Sequence, residues 1–276
     1  MILSTASPTL APGGVLLLVV VALALYGLAA LPWLRRFSAA ALVGGWMLHG
    51  VLLLIDIAGV GMHEPGARLG FAPVLSLTVW LVIAVYSVEN QFVPLPAVRQ
   101  WLALAGGVVI LLGALFPGEM RPISSQWIEL HFALGVGAYA LFGAAVVHAL
   151  LLDGAERRLR AAPRPGPRPP PAQALGMPLQ QLERLTFAFV LAGFCVLTAA
   201  IGLGIATTVQ WRWADHKVAF SFMAWFVFAA LLLGRRLRGW RGRHATRWLY
   251  IGAVLLLLGY AGSRFVFEVL LGRPAP

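Results

Sequence analysis

Charge is scarce in this sequence: Asp, Glu, Lys and Arg make up 11% of its 276 residues, while 60% are hydrophobic. Mean hydropathy is +0.85. Soluble globular domains carry about 25% charged residues, so this composition excludes a water-soluble fold and identifies an integral membrane protein. Cysteine is nearly absent. The single Cys195 rules out an intrachain disulfide and CxxC redox chemistry, and within FVLAGFCVLTAA it is expected to act as a small buried apolar residue. Also missing are a Walker or dinucleotide glycine loop, HExxH, GxSxG, and two carboxylates paired in one outward loop. No row of acids marks the relay of a proton-driven transporter. These absences argue against a turnover enzyme.

What is present is a series of long apolar runs. A helix needs about 20 residues to cross a ~30 Å hydrocarbon core, and eight runs qualify, over about 13–34, 39–60, 71–90, 99–117, 127–152, 184–208, 217–234 and 246–271. None shows the period-2 alternation of a lipid-facing strand, so helices are favoured over a barrel. The first run is longer than a signal-peptide core and ends in Trp33-Leu34-Arg35-Arg36 without a small-residue cleavage site, which predicts a retained helix. The expected fold is therefore an all-α polytopic bundle of about eight transmembrane helices, forming one transmembrane domain over 1–276.

The basic residues set an expected orientation. Arg35, Arg36, Arg99, Arg157, Arg158, Arg160, Arg164, Arg168, Arg184, Arg235, Arg236, Arg238, Arg241, Arg243 and Arg247 account for 15 of the 21 Lys and Arg, and eight crossings place all of them on one side. By the positive-inside rule that side is cytoplasmic and both termini face outward, to the periplasm. Topology and anionic lipid then account for the formal charge of +11, with no need of nucleic acid. Residues 153–183 are rich in Pro and Arg and predict an extended cytoplasmic linker, separating a five-helix part from a three-helix part.

Ionisable groups inside the membrane cost about 2.5–3.5 kcal/mol on insertion scales, so each requires a reason. His49, in GGWMLHGVLLL, lies roughly 15 Å deep, near the midplane. Two readings stand for it: a neutral histidine bonded to a neighbouring helix, or a ligand to a metal or cofactor. His131, one turn below the outward end of the fifth run, and His216, at the outward start of the seventh, share a depth at which a planar iron cofactor could be held between two imidazoles. His148, 17 positions beyond His131, lies ~25 Å along the helix and is expected to snorkel to the interface. His63 and His244 fall in connections. Asp56 and Glu268 lie in outward halves, and Arg264 stands four residues before Glu268, a spacing that suits an intrahelical pair.

One outward stretch, TTVQWRWADHKVAFSFMAWF, gathers Trp211, Arg212, Trp213, Asp215, His216 and Lys217. An interfacial aromatic belt, shared with Trp127, explains tryptophans here without any ligand. Alternatively, tryptophans stack on a porphyrin, Arg212 and Lys217 meet its propionates, and Asp215 orients an imidazole or pairs with Lys217.

From about Phe71 to Gly272 the chain resembles the cytochrome c assembly family, heme-handling membrane proteins of the CcsA and CcmC type. The resemblance rests on WIELHFALGVGAYALFGAA, with Trp127, His131 and Tyr139, and on WRWADHKVAFSFMAW, with Trp211, Trp213, Asp215, Lys217 and Trp225. GYAGSRFVFEVLLG resembles the family's last helix. The tryptophan-rich loop is short, His216 stands where the family usually has proline, and Gly239–Gly242 match the GWRG of a short HemX-like or YpjD-like branch. The resemblance implies a heme-binding protein of the bacterial inner membrane, carrying heme of the b type near the outer face and assisting cytochrome c maturation or heme handling. His131 and His216 are then the axial ligands, with His49 belonging to a second position. Other cytochrome c assembly proteins or apocytochrome c are the implied partners, besides membrane lipid. A heme-free transporter accessory or a membrane scaffold subunit is the alternative.

Overall fold

The computed structural model describes residues 12–58, 67–90, 96–121, 126–161, 178–207 and 216–271. Its helices are α1 (Pro12–Ala30), α2 (Arg35–Ala58), α3 (Phe71–Glu89), α4 (Pro96–Leu115), α5 (Gln126–Ala161), α6 (Leu179–Thr207), α7 (His216–Arg238) and α8 (Gly242–Leu257). Eight helices are long and apolar enough to cross a membrane. Strand is confined, among the described residues, to β1 (Ala67–Leu69) and β2 (Glu119–Arg121), which pair antiparallel, Ala67 opposite Arg121. The chain is thus an all-helical membrane bundle with one short strand pair.

Several boundaries move from their expected places for identifiable reasons. α1 stops at Ala30, and a 3-10 turn, Pro32–Leu34, leads directly into α2 at Arg35, because Pro32 cannot continue the helical hydrogen bonding. α4 begins on a proline, Pro96, where the missing N–H costs nothing. α5 runs to Ala161, so the first nine residues of the expected linker are helical. Their content is favourable to helix, and Arg160 bonds Glu156 one turn back at 3.0 Å. At its other end α6 begins at Leu179, so 179–183 are helical too, and residues 162–177 lie outside the described residues.

The last helix departs from regular geometry. Beyond Leu257 it widens into a π-helical turn, Leu258–Gly262, returns to α over Ser263–Phe265, and widens again over Val266–Leu270. π-turns inside helices are rare and cluster at functional sites.

Two large apolar cores form, with smaller clusters at Phe71, Ala72 and Ala261 and at Leu152 and Leu182. One, around Tyr26, Leu42, Ile83 and Ala103, joins α1–α4; the other, around Phe142, Val190, Phe228 and Leu249, joins α5–α8. Val147 and Leu151 of α5 also pack against the first core, and Phe71 and Ala72 of α3 pack with Ala261 of the last helix, so the two halves are joined. Glycines permit the close packing. A Cβ at Gly106 would sit 2.6 Å from the Tyr26 ring, and one at Gly252 would sit 2.6 Å from the Phe228 ring. Phe228 in turn stacks on Phe142 with centroids 3.7 Å apart. Between α7 and α8, Gly239 (φ 66°) and Gly242 (φ 55°) take left-handed conformations, which non-glycine residues adopt only under strain. Trp240 lies between them and folds back over Gly234. Cys195, expected inside, is exposed on α6, because the α6 residues that enter the core are Val190, Gly193, Leu197 and Ala200 and its own position falls off that face.

Candidate functional site

At the end of the bundle where α5 begins and α6 finishes, the helices enclose a cavity of about 450 Å³. This is within the ~300–1,000 Å³ of small-molecule sites. Its walls are largely apolar, with Phe132, Tyr139, Leu197, Ile201, Phe222 and Tyr260 among them. Polar groups are few and distinct: the His131 imidazole from α5, Lys217 and Ser221 from α7, and the two tyrosine hydroxyls.

His131 is held from one side. Its Nδ1 is 2.9 Å from the Ala200 carbonyl oxygen on α6. A carbonyl only accepts, so Nδ1 carries a proton, and in the neutral ring that leaves the lone pair on Nε2. Among the described residues Nε2 meets no partner. Gly204, one turn beyond Ala200, makes this pose possible, since a Cβ there would lie 3.0 Å from His131 Cε1. The arrangement matches the one in which a metal-ligating histidine donates its other N–H to a backbone carbonyl.

The opposite wall depends on the widened turn of the last helix. Leu256, Gly259 and Tyr260 line the cavity, and the Tyr139 hydroxyl donates to the Leu256 carbonyl just before the π-turn begins. Ser263 Oγ bonds the Tyr260 carbonyl at 2.9 Å. Arg264, buried within this segment, lies with its guanidinium 5.6 Å from the Tyr260 ring centre.

The other residues singled out in the sequence distribute differently. His216 opens α7 next to Lys217 but does not line the cavity; its ring stacks on Phe267 at 6.0 Å. Trp127 is exposed, 59%, at the start of α5. Trp211, Arg212, Trp213 and Asp215 lie outside the described residues. His49 is 1% exposed, with Nδ1 3.1 Å from the Tyr26 hydroxyl and Nε2 2.7 Å from Ser76 Oγ. Both its nitrogens are thus occupied in a link between α1, α2 and α3. Close by, Trp46 and Trp80 stack at 4.8 Å and each donates its indole N–H to the other's carbonyl.

His148 does not snorkel. It is buried at 4%, and it bonds the Ala144 carbonyl at 2.8 Å and Glu89 at 3.1 Å. The carboxylate that draws it inward is 59 residues away in sequence, which no local pattern signals. Sequence reasoning also missed Ala200, Gly204 and Ser221, since small residues on an apolar helix read as packing until the neighbour that uses them is known. A further unanticipated group is Asp153, buried on α5 and bonded by the hydroxyls of Thr246 and Tyr250, each at 3.0 Å.

Among the described residues no three His, Cys, Asp or Glu side chains gather as a site for a bare metal ion. An iron already held by four porphyrin nitrogens needs only one or two protein ligands. The cavity offers that donor set: an oriented imidazole, apolar walls and a cation.

Comparison with known proteins agrees with this setting. A profile described as cytochrome c assembly protein matches residues 12–271. An uncharacterized 28.8 kDa protein in the nifR3-like 5′ region of Azospirillum brasilense is 32% identical over 231 residues, covering 82% of this chain and 74% of its own. The inner membrane protein YpjD of Escherichia coli K12 is 26% identical over 244 residues, 86% of this chain and 88% of its own. The cytochrome c biogenesis protein CcsA of Synechococcus sp. (strain JA-3-3Ab) is 25% identical over 221 residues, 59% of this chain and 64% of its own. No solved structure matches. With the match running from the first described helix to the end of the last, this membrane-spanning chain belongs to the cytochrome c assembly protein family, a membership that supports a role in cytochrome c maturation.

Proposed function

We propose that the protein binds one heme, of the b type, at the cavity between α5, α6, α7 and the widened end of α8, and that it holds this heme for cytochrome c maturation without catalysing a turnover reaction. The observation that carries the reading is the His131 imidazole, fixed at Nδ1 by the Ala200 carbonyl with Nε2 left for iron. Phe132, Phe222 and Tyr139 supply apolar walls for a porphyrin, and Lys217 supplies the charge a propionate needs. His216, adjacent to Lys217, would supply a second imidazole to the heme iron, which would require its ring to leave Phe267. With heme bound, the tryptophans at 127, 211 and 213 would border the porphyrin, Arg212 would serve a second propionate, and Asp215 would pair with Lys217 or orient an imidazole. His49 stays outside this site, because an iron bond there would break a hydrogen bond to Tyr26 or Ser76.

The protein sits in the bacterial inner membrane, as its Escherichia coli relative is named to do. The arginine-rich end faces the cytoplasm and the cavity faces outward, where the partners are other assembly components or apocytochrome c. Reporter fusions at Gly166 and at the C-terminus check this orientation: an externally active fusion at Gly166 overturns it.

The test of the heme reading is the optical spectrum of the protein purified in mild detergent. Soret and alpha bands of bis-histidine heme are expected. Replacing His131 or His216 with alanine should remove most of the heme or shift those bands. Wild-type heme content and spectrum in both variants refute the site.

A further inference from the structure

His49 and His148 are buried in the bundle and His131 is exposed at its end, and their ring nitrogens meet partners of different kinds. His49 meets two hydroxyls, each able to donate or accept, so a neutral ring satisfies both. His131 meets one carbonyl. His148 meets an acceptor on each side: the Ala144 carbonyl oxygen at 2.8 Å from Nδ1 and Glu89 Oε2 at 3.1 Å from Nε2. A neutral imidazole has a single N–H. With an ionised Glu89 it would set a nitrogen lone pair against an oxygen lone pair at hydrogen-bond distance, in a position that is 4% exposed. Both contacts are satisfied when the pair carries one further proton, as imidazolium against carboxylate or as imidazole against carboxylic acid.

We infer that His148 and Glu89 bind one shared proton at the arginine-rich end of the bundle, and that this proton fastens α3 to α5. Among the described residues, the surroundings leave the role to these two. On α3, the Tyr86 hydroxyl donates to Asn90 Oδ1 at 3.0 Å, and Arg99 of α4 acts on Tyr86. From α6, the Phe189 ring lies 5.2 Å from the imidazole and brings no titrating group. The next acid along α5, Asp153, is already bonded by Thr246 and Tyr250 of α8.

The position of the fastening gives it consequence. α3 and α5 both reach the cavity at their other ends, α3 through Val74 and α5 through His131 to Tyr139. Midway they touch where Gly143 faces Val82, a Cβ on the glycine falling 3.0 Å from Val82 Cγ2. The contact at mid-height is apolar and constant. The contact at the arginine-rich end depends on a proton. When that proton leaves, a neutral imidazole faces a carboxylate, a half-buried negative charge has lost its charged partner, and separation of the two helix ends lets water relieve it. The inference stands independently of heme binding.

The test uses the full chain with Cys195→Ser and spin labels on cysteines replacing Val88 and Leu150, both exposed at 59% beside the pair, in lipid nanodiscs. Between about pH 6 and about pH 10 the label distance should lengthen or broaden as the proton is lost. In Glu89→Gln a carboxamide N–H can donate to Nε2 with no extra proton, so the distance should stay short throughout. A wild-type distance that ignores pH, or one that changes identically in Glu89→Gln, overturns the inference. A second measurement covers a variant that does not fold: nitrogen NMR of histidine-labelled wild-type protein, assigned with His148→Asn, together with carbon NMR of Glu89. Two protonated ring nitrogens, or a protonated carboxyl, support the shared proton. One protonated nitrogen beside an ionised carboxylate refutes it.

Discussion

In α1–α4 the His49 ring is closed on both sides by hydroxyls and buried to 1% exposure, whereas in α5–α8 the His131 ring is bonded on one side only and its residue lines a cavity. The two residues sit on helices of similar apolar character. What separates them is the neighbour: Tyr26 and Ser76 offer His49 two hydroxyls, one to donate to the ring and one to accept from it, while His131 receives a single carbonyl and a glycine. A buried histidine with complete partners stabilises a helix group, and an exposed one with a nitrogen left unbonded is available for chemistry. The glycines show the same division. Gly106 admits the Tyr26 ring that bonds His49, and Gly204 admits the His131 ring itself.

Exchanging each histidine for alanine gives the largest expected contrast. His131→Ala should lose most of the bound heme while the melting temperature of the heme-free protein stays near wild type, because the ring is exposed. His49→Ala should do the reverse: the spectrum holds, and stability falls by roughly 1–3 kcal/mol as the Tyr26 and Ser76 hydroxyls lose their partner. Heme-to-protein ratio and thermal unfolding in detergent, measured on both, would erase the comparison if the two variants behaved alike.

Glycine variants sharpen it at a finer scale. Gly204→Ala should displace the His131 ring from the Ala200 carbonyl and weaken heme affinity about 10-fold, in the range seen when the group orienting a metal ligand is removed; heme titration followed at the Soret band reads this. Gly106→Ala should leave that titration unchanged and lower stability by about 1–3 kcal/mol through overpacking against Tyr26, read from the melting curve. A Gly204→Ala protein with wild-type affinity would show that the carbonyl bond does not position the ligand.

The smallest effects belong to the arginine-rich end. His244→Ala, where the ring only meets the edge of Trp240 at 4.5 Å, should change neither heme content nor spectrum. Deleting several residues from 164–170 should leave expression and heme content unchanged, since the cores of the two helix groups draw on residues elsewhere. Loss of folded protein from the deletion would show that the segment packs.

Much of the bundle was legible beforehand because the membrane imposes a long apolar run on every span, and such runs are visible one residue at a time. The eight helices therefore emerge within a few residues, apart from α5, whose helical extension to Ala161 is polar and carries no membrane signal. His131 and Lys217 were legible for a related reason: a charged or titratable group stands out against an apolar background, and both line the cavity. Ala200, Gly204 and Ser221 do not stand out, and neither does the π-turn at Leu258–Gly262, whose sequence LGYAG is compatible with an ordinary helix. His148 was misread because its partner, Glu89, belongs to another helix.

Composition alone determined that this chain lives in a membrane, since burying 11% charge among 60% apolar residues leaves no soluble alternative, and the spacing of its apolar runs determined the number of helices. Which imidazole is saturated and which is open, where the two cores divide, and that a cavity exists at all were decided by tertiary packing. The physical reason is range. Hydrophobicity acts on each segment independently and can be summed along the chain, whereas a hydrogen-bond partner or a missing Cβ is supplied by residues dozens of positions away, and only folding brings them within 3 Å.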